Sequence, residues 1–348
     1  MSFPKSSFEE TLLDRVVLTE KCVGCGACVL VCPFGCLEYH EQRPRLVKEC
    51  EICGICPRAC PRLEWSQSDL EKLVFERNRE PSEDFGIYQR LILAQTTDKD
   101  VTPIGQDGGV VTTLVAFALK KGIVDGALLS GVSLDKPFYP VPVLATTPKE
   151  VLKCAGTRYT YSPNLLAIQE ALKQKRKSLA FVGTPCQIQA IRKMEAAKLR
   201  RYSDRIKIAI GLMCTESFTY EGLMEKQIQQ TLGINLHDVK KINIKGKIIV
   251  TTNSGDVKTI PLVEAKQYTR KSCLPCPDFS AELADISTGG LGLGGWTLTI
   301  IRTEAGRELF EDAEKAGLIK TRPVEDAKNA LNLLVKLSKK KRKASNSS

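Results

Sequence analysis

The sequence has almost no histidine: two residues in 348. That argues against structural zinc sites of mixed Cys/His type and against a His-based proton-transfer constellation. No apolar run reaches the length of a membrane span, and the first residues lack the apolar core of a secretory signal. A soluble, cytoplasmic chain is the expectation. No G-x-G-x-x-G stands in a Rossmann setting, after a strand and opening a helix, which argues against ordinary nicotinamide use. Acidic residues are in deficit, 40 against 51 Lys and Arg, for a formal net charge of +11. The imbalance suits an anionic partner, be it nucleic acid, an anionic membrane surface, an acidic subunit or a polyanionic coenzyme. Basic residues do not interleave with aromatics into a patch, so nucleic acid is not the expected partner.

Cysteine is what the chain has in quantity. Nine of the fourteen precede Arg62, and in a cytosolic protein that density points to metal ligation and not to disulfides. They spell C-V-G-C-G-A-C-V-L-V-C-P and, after a spacer, C-E-I-C-G-I-C-P-R-A-C-P. Each half is C-x-x-C-x-x-C-x-x-x-C-P, the spacing of a bacterial-type ferredoxin with two [4Fe–4S] clusters. Three cysteines two residues apart wrap one cluster, and the fourth, before proline, ligates the other. The assignment is Cys22, Cys25, Cys28 and Cys60 to one cluster, and Cys50, Cys53, Cys56 and Cys32 to the second. Gly24, Gly26 and Gly54 let the backbone approach the sulfurs. Cys36 is the odd thiol and reads as a small buried hydrophobe.

The expected organisation is an α+β two-cluster ferredoxin domain over residues 1–65, a helical linker over 66–87, a larger α/β domain over 88–320, and a C-terminal helix fading into a basic disordered tail over 321–348. Residues 15–19 alternate enough for a first ferredoxin strand, and 66–83 read as a linker helix ending at Pro81. Strands are expected at 88–96, 126–132, 141–145, 178–182 and 206–213, with helices between them, which suggests parallel strands. Three antiparallel strands follow at 239–244, 247–252 and 257–261. The last apolar strand-like run ends at Arg302, ahead of helices over 303–316 and 326–337.

Three features of the larger domain carry chemistry. The glycine-rich stretch from Gly105 to Thr113 opens a helix, a place where free N–H groups and the helix dipole cradle an anion; taken alone the signal is weak, and a tight turn with no ligand is the plainer reading of the letters. Cys186 opens a helix after a buried strand, Cys214 ends the next strand, and Cys273 and Cys276 form C-L-P-C. Strand ends of a parallel sheet converge on one edge. Spacing leaves two readings open there: a third [4Fe–4S] cluster, or buried structural thiols with only C-L-P-C special. Finally, K-C-A-G-T-R-Y, Asp278 and D-I-S-T-G-G-L-G-L-G-G-W are polar, glycine-rich connections of the kind that binds ligands.

Six motifs in order, D-G-G-V-V-T-T-L, G-T-R-Y, G-T-P-C-Q, M-C-T-E-S-F, K-S-C-L-P-C-P-D-F and D-I-S-T-G-G, resemble the coenzyme F420 hydrogenase/dehydrogenase β-subunit family over residues 107–302. The resemblance implies a flavoprotein: the larger domain would hold FAD and exchange a hydride with coenzyme F420, an 8-hydroxy-5-deazaflavin. Asp107, Gly108, Gly109 and Thr112, with Gly156, Thr157, Arg158 and Tyr159, would line the flavin, and Thr184 would join the cofactor site. Cys186, Cys214, Cys273 and Cys276 would hold a [4Fe–4S] cluster beside it. Lys271 and Arg302 are the candidates for the anionic coenzyme tail. The fused ferredoxin resembles the electron-input subunit of an F420H2:quinone or methanophenazine oxidoreductase in archaeal methanogenesis. That implies partner subunits of a complex I-like membrane assembly and a peripheral position on the cytoplasmic face. The alternatives are the β subunit of a coenzyme F420-reducing hydrogenase or F420–ferredoxin module, and a non-enzymatic iron–sulfur electron relay.

Overall fold

The computed structural model describes residues 5–64 and 66–346. Trp65, where the ferredoxin domain was expected to end, and the chain's last two residues lie outside the described residues. In chain order the strands are β1 (Leu37–His40), β2 (Arg43–Leu46), β3 (Arg90–Thr96), β4 (Gly126–Val132), β5 (Pro140–Ala145), β6 (Leu179–Gly183), β7 (Ile206–Leu212), β8 (Val239–Ile244), β9 (Lys247–Thr252), β10 (Val257–Pro261), β11 (Ile286–Gly289), β12 (Thr297–Ile301) and β13 (Ile319–Pro323). β1 and β2 form a hairpin in the cysteine-rich segment. An eight-stranded sheet in the order β13-β3-β12-β11-β7-β6-β4-β5 organises the larger domain, and β10-β9-β8 make a small separate sheet.

The expected parallel arrangement holds at the centre only. β4, β6, β7 and β11 run parallel, while β5 on one side and β12, β3 and β13 on the other are antiparallel. The domain is therefore mixed α/β. Alternation along the central strands sends Leu179 and Phe181 to one face, and Ala180 and Val182 to the other. The second face is covered by the helices Val110–Lys120 and Glu304–Lys315. The first is covered by Pro185–Ala196 and, beyond it, by the cysteine-rich segment itself: Phe8, Leu12, Val31 and Ala59 share one continuous core with Leu165, Ile191 and Leu283.

Several local expectations are corrected. Residues 15–19 are not a strand. Glu9–Val17 is helical, because Phe8, Leu12 and Val16, all 2 % exposed, repeat at the helical spacing of four. The linker helix is Gln67–Phe75, capped by Ser66 and stopped by Glu76 in the left-handed region, well before Pro81. The boundary expected at 320 falls inside β13. The basic tail is ordered as helix: Lys328–Asn346 is one element. It has acceptors to dock on. Lys339 pairs with Asp84 at 2.9 Å, Arg342 with Glu282 at 2.6 Å, and Lys341 Nζ donates to the Cys273 carbonyl at 3.0 Å. No described helix is long and apolar enough to cross a membrane.

Candidate redox site

The cysteines gather in three places. Cys32, Cys50, Cys53 and Cys56 line one cavity together with Phe8, Phe34, Cys36 and Glu51. Backbone N–H groups of Phe8 and Cys36 point at two of the sulfurs, Cys50 Sγ at 3.4 Å and Cys32 Sγ at 3.3 Å. Cys22, Cys25, Cys28 and Cys60 form the neighbouring set. Burial pushes the Cys25 and Cys28 thiols well up, and mutual repulsion within the set, Cys60 on Cys25 and Cys25 on Cys28, pushes them further. Burial and mutual repulsion favour the protonated thiols here, and a bound metal would displace those protons. Among the described residues no three His, Cys, Asp or Glu side chains converge on a single-ion site. The second ferredoxin set lines a cavity of its own, and its C-x-x-C-x-x-C spacing is that of a [4Fe–4S] ligand set.

The third place is built by the fold. Parallel β6 and β7 are adjacent, so the residues just past their ends, Cys186 and Cys214, emerge side by side. Cys186 opens the helix Pro185–Ala196, which Thr184 and Gln187 cap reciprocally. Cys214 N donates to the Phe279 carbonyl at 2.8 Å, drawing in the loop that carries Cys273 and Cys276. All four thiols line one cavity. Ser217 N donates to Cys273 Sγ at 3.4 Å. Burial, then Cys273, pushes the Cys214 thiol well up. The donor set fits a four-thiolate cluster.

Sequence reasoning missed the charges in this cavity. Arg62, Arg270 and Lys341 line it, with Asp278 as the acid. Arg62 Nη2 donates to the Ser272 carbonyl at 3.3 Å, and its Nε is buried without a partner among the described residues. Burial works against the Arg62 charge, but Cys276 and Cys186 outweigh it and hold its pKa above the ordinary guanidinium value. Burial, then Glu282, pushes Asp278 up to about 7. Arg270 Nη1 donates to the Val23 carbonyl at 2.9 Å and stacks 4.5 Å over the Tyr161 ring. Tyr161 in turn touches Cys186 through its hydroxyl at 3.5 Å. Arg270 precedes K-S-C-L-P-C and Arg62 follows Cys60-Pro61, which was signal of a kind. Lys341, inside a like-charge run, gave none.

The loops assigned to the flavin come together elsewhere on the sheet edge. A Cβ on Gly156 would lie 3.6 Å from the Ile104 carbonyl oxygen, and burial, then Asp107, pushes the Tyr159 phenol up. The small sheet leans on the first loop: Lys241 Nζ donates to Gly105 O at 3.0 Å and Gln106 to Asn243 at 2.5 Å. Lys241 and Lys245 oppose the burial that raises the Asp107 pKa. Neither lysine was anticipated. The helix Val110–Lys120 has no side chain capping its N–H groups, and the half-buried Thr112 hydroxyl has no partner among the described residues. That free N-terminus fits an anionic group. Gly108 and Gly109 are required by packing. A Cβ on Gly108 would stand 2.6 Å from the Ala94 carbonyl oxygen, and Gly109 has φ +69° with Thr96 and Val101 2.9 Å from its Cβ position.

Three expected cofactor residues lie away from this cleft. Thr184 belongs to the cysteine cavity, with Oγ1 3.3 Å from Cys186 Sγ. Lys271 is exposed and pairs with Glu20 at 2.8 Å. Arg302 is 1 % exposed and fully engaged with Ser287, Ser280, Ile87 and Phe85, so it cannot hold a coenzyme tail. Arg158 caps the helix Pro148–Lys153, donating to the carbonyls of Cys154, Ala155 and Gly156. Residues 290–295 have the letters G-x-G-x-x-G, but they turn between antiparallel β11 and β12 and open no helix.

A ferredoxin-like segment fused to a mixed α/β domain, with thiol sets in both, defines an iron–sulfur redox protein. Comparison with known proteins narrows this. Residues 91–169 and 176–327 match the N-terminal and C-terminal profiles described as coenzyme F420 hydrogenase/dehydrogenase, beta subunit, and residues 15–38 match a 4Fe-4S binding domain. The beta subunit of the coenzyme F420 hydrogenase of Methanothermobacter thermautotrophicus is 41 % identical over 263 residues, 74 % of this chain and 92 % of that one. A subunit of the F(420)H(2) dehydrogenase of Methanosarcina mazei is 30 % identical over 347 residues, 95 % of this chain and 92 % of that one. Among solved structures, a chain of the F420-reducing [NiFe] hydrogenase complex from Methanosarcina barkeri, studied as a xenon derivative, superposes with a TM-score of 0.73 at 36 % identity, over 77 % of this chain and 93 % of that one. The chain belongs to the coenzyme F420 hydrogenase/dehydrogenase β-subunit family, with an N-terminal 4Fe–4S region, and is an F420-dependent oxidoreductase.

Proposed function

We propose that this chain is the coenzyme-handling subunit of a redox complex, working as the β subunit of an F420-reducing hydrogenase does, with two further one-electron carriers built into the same polypeptide. FAD and the clusters supply the exchange between a hydride's electron pair and single electrons. The observation that carries the reading is the contact between the third thiol set and the first ferredoxin set. Val23, next to Cys22, lines the third cavity, and Tyr161 and Arg270 pack between them.

The protein's own residues have separable tasks. The twelve thiols hold the clusters in the three sets described. The N–H groups at the start of Val110–Lys120 and the Thr112 hydroxyl receive the flavin's anionic part. Lys241 and Lys245, beside Asp107, take over the role first given to Lys271 and Arg302 and meet the polyanionic coenzyme. Buried Tyr161 fills the gap beside Cys186 and excludes water. The cavity of the second ferredoxin set is lined by the exposed Phe34, where electrons pass to or from a partner.

The test is anaerobic reconstitution followed by titration with reduced coenzyme F420. About twelve iron atoms per chain are expected, together with flavin absorption that bleaches as oxidised coenzyme appears. Cluster absorption without flavin would reduce the protein to an electron relay. A second reading, input subunit of a membrane-bound F420H2 dehydrogenase, is favoured by the alignment with the Methanosarcina mazei protein, which spans the ferredoxin segment as well. Native purification separates the two: co-sedimentation with membranes supports the dehydrogenase, and co-elution with a hydrogenase catalytic subunit supports the first reading.

A further inference from the structure

The third cysteine site is closed by two cations from parts of the chain that the family profiles do not cover. Arg62 lies between the 15–38 and 91–169 matches, and Lys341 lies beyond the match that ends at 327. They come from opposite ends of the sequence and meet in one cavity. Each is anchored to the loop that carries the C-L-P-C thiols: Arg62 through the Ser272 carbonyl at 3.3 Å, Lys341 through the Cys273 carbonyl at 3.0 Å. The helix carrying Lys341 is fixed on either side of it by Lys339–Asp84 and Arg342–Glu282, so the ammonium is held in place. With Arg270, three cations face four thiols and one carboxyl, Asp278. Among the described residues no cation lines the second ferredoxin cavity, where Glu51 is the charged lining residue; Arg58 and Lys48 act on Cys53 and Cys36 from outside that lining.

We propose that Arg62 and Lys341 set the reduction potential of the third site and make it easier to reduce than the second ferredoxin site, so that electrons entering through the ferredoxin segment run downhill toward the flavin cleft. The proposal rests on the reading that this quartet holds a [4Fe–4S] cluster. One-electron reduction adds one negative charge to a cluster already carrying four thiolates, with no bond made or broken. Nearby positive charge stabilises the reduced form, and the effect is large in a buried cavity where solvent screening is weak. A neighbouring carboxylate acts in the opposite sense at the second ferredoxin site.

The experiment is a redox titration of the reconstituted full chain followed by electron paramagnetic resonance, with Cys273→Ser used to assign the third site's signal. In the wild type the third site is expected to reduce before the second ferredoxin site. Lys341→Met should lower the reduced-to-oxidised ratio of the third site about tenfold at a fixed poise, equivalent to about 59 mV for a one-electron couple. Lys341→Arg should restore it, and the second ferredoxin site should not move. Arg62→Gln should lower the third site and also the first ferredoxin site, since Arg62 also acts on Cys22 and Cys60. A third signal whose potential ignores both Lys341→Met and Arg62→Gln, or that reduces after the second ferredoxin site in the wild type, overturns the proposal alone. Absence of any signal lost in Cys273→Ser overturns the cluster reading, and the proposal with it.

Discussion

The ferredoxin segment and the third thiol site solve one ligand problem by opposite means. In the first, eight thiols come from a single short stretch, and the turns between them, with Gly26 in the left-handed region ahead of the helix Ala27–Val31, set the geometry locally. In the second, four thiols come from two strand ends and a distant loop, and only the folded sheet brings them together. The first kind of site depends on local sequence and the second on global stability. The difference also reaches the surroundings. Cations that line the third site are recruited from both ends of the chain, whereas the charged residue lining the second ferredoxin site, Glu51, comes from the cysteine motif itself.

The sharpest way to break that contrast is to weaken the fold that builds the third site. Arg302→Met removes a buried guanidinium and leaves the carbonyls of Ile87 and Ser280 without their donor, while the Phe85 carbonyl keeps only the Ser280 hydroxyl. A loss of about 3–5 kcal/mol is expected, read by urea unfolding, with the third site releasing iron before the ferredoxin sites do. Simultaneous release from all three would abolish the distinction. Leu12→Ala probes the other side. It opens a hole in the core under the cysteine-rich segment and should cost about 3 kcal/mol, with the ferredoxin signals broadening while the third is kept. The smallest effect belongs to Lys271→Ala. This exposed pair with Glu20 should contribute under about 1 kcal/mol, and the KM for the coenzyme should be unchanged. A rise in KM would return Lys271 to the coenzyme site.

What could be read from the letters follows the same division. Both ferredoxin quartets were legible because a ligand spacing is a local property. β8, β9 and β10 were legible because alternation and a turn signal sit in one window. The Glu9–Val17 helix was not, since a five-residue alternation masked the longer stripe of Phe8, Leu12 and Val16. β13, with two cations and a proline in five residues, looks unlike a strand and is held there by β3. The basic tail read as solvated because nothing nearby in sequence marks Asp84, Glu282 and the Cys273 carbonyl as its acceptors. Arg302 looked like a ligand-binding cation because the carbonyls that consume it come from the distant Phe85–Ile87 turn.

The helix Pro185–Ala196 carries Cys186 in its first turn and Lys193 about two turns further on. Lys193 Nζ reaches out of the larger domain to the carbonyls of Cys60, Leu63 and Glu64, holding the end of the ferredoxin motif. One rigid rod therefore sets both the third site and the chain that bears a ligand of the first. On the proposed electron path, a hinge at this junction would change the distance between the two sites with every domain motion. A helix used as a ruler removes that noise, and turnover should be insensitive to solvent viscosity at this step.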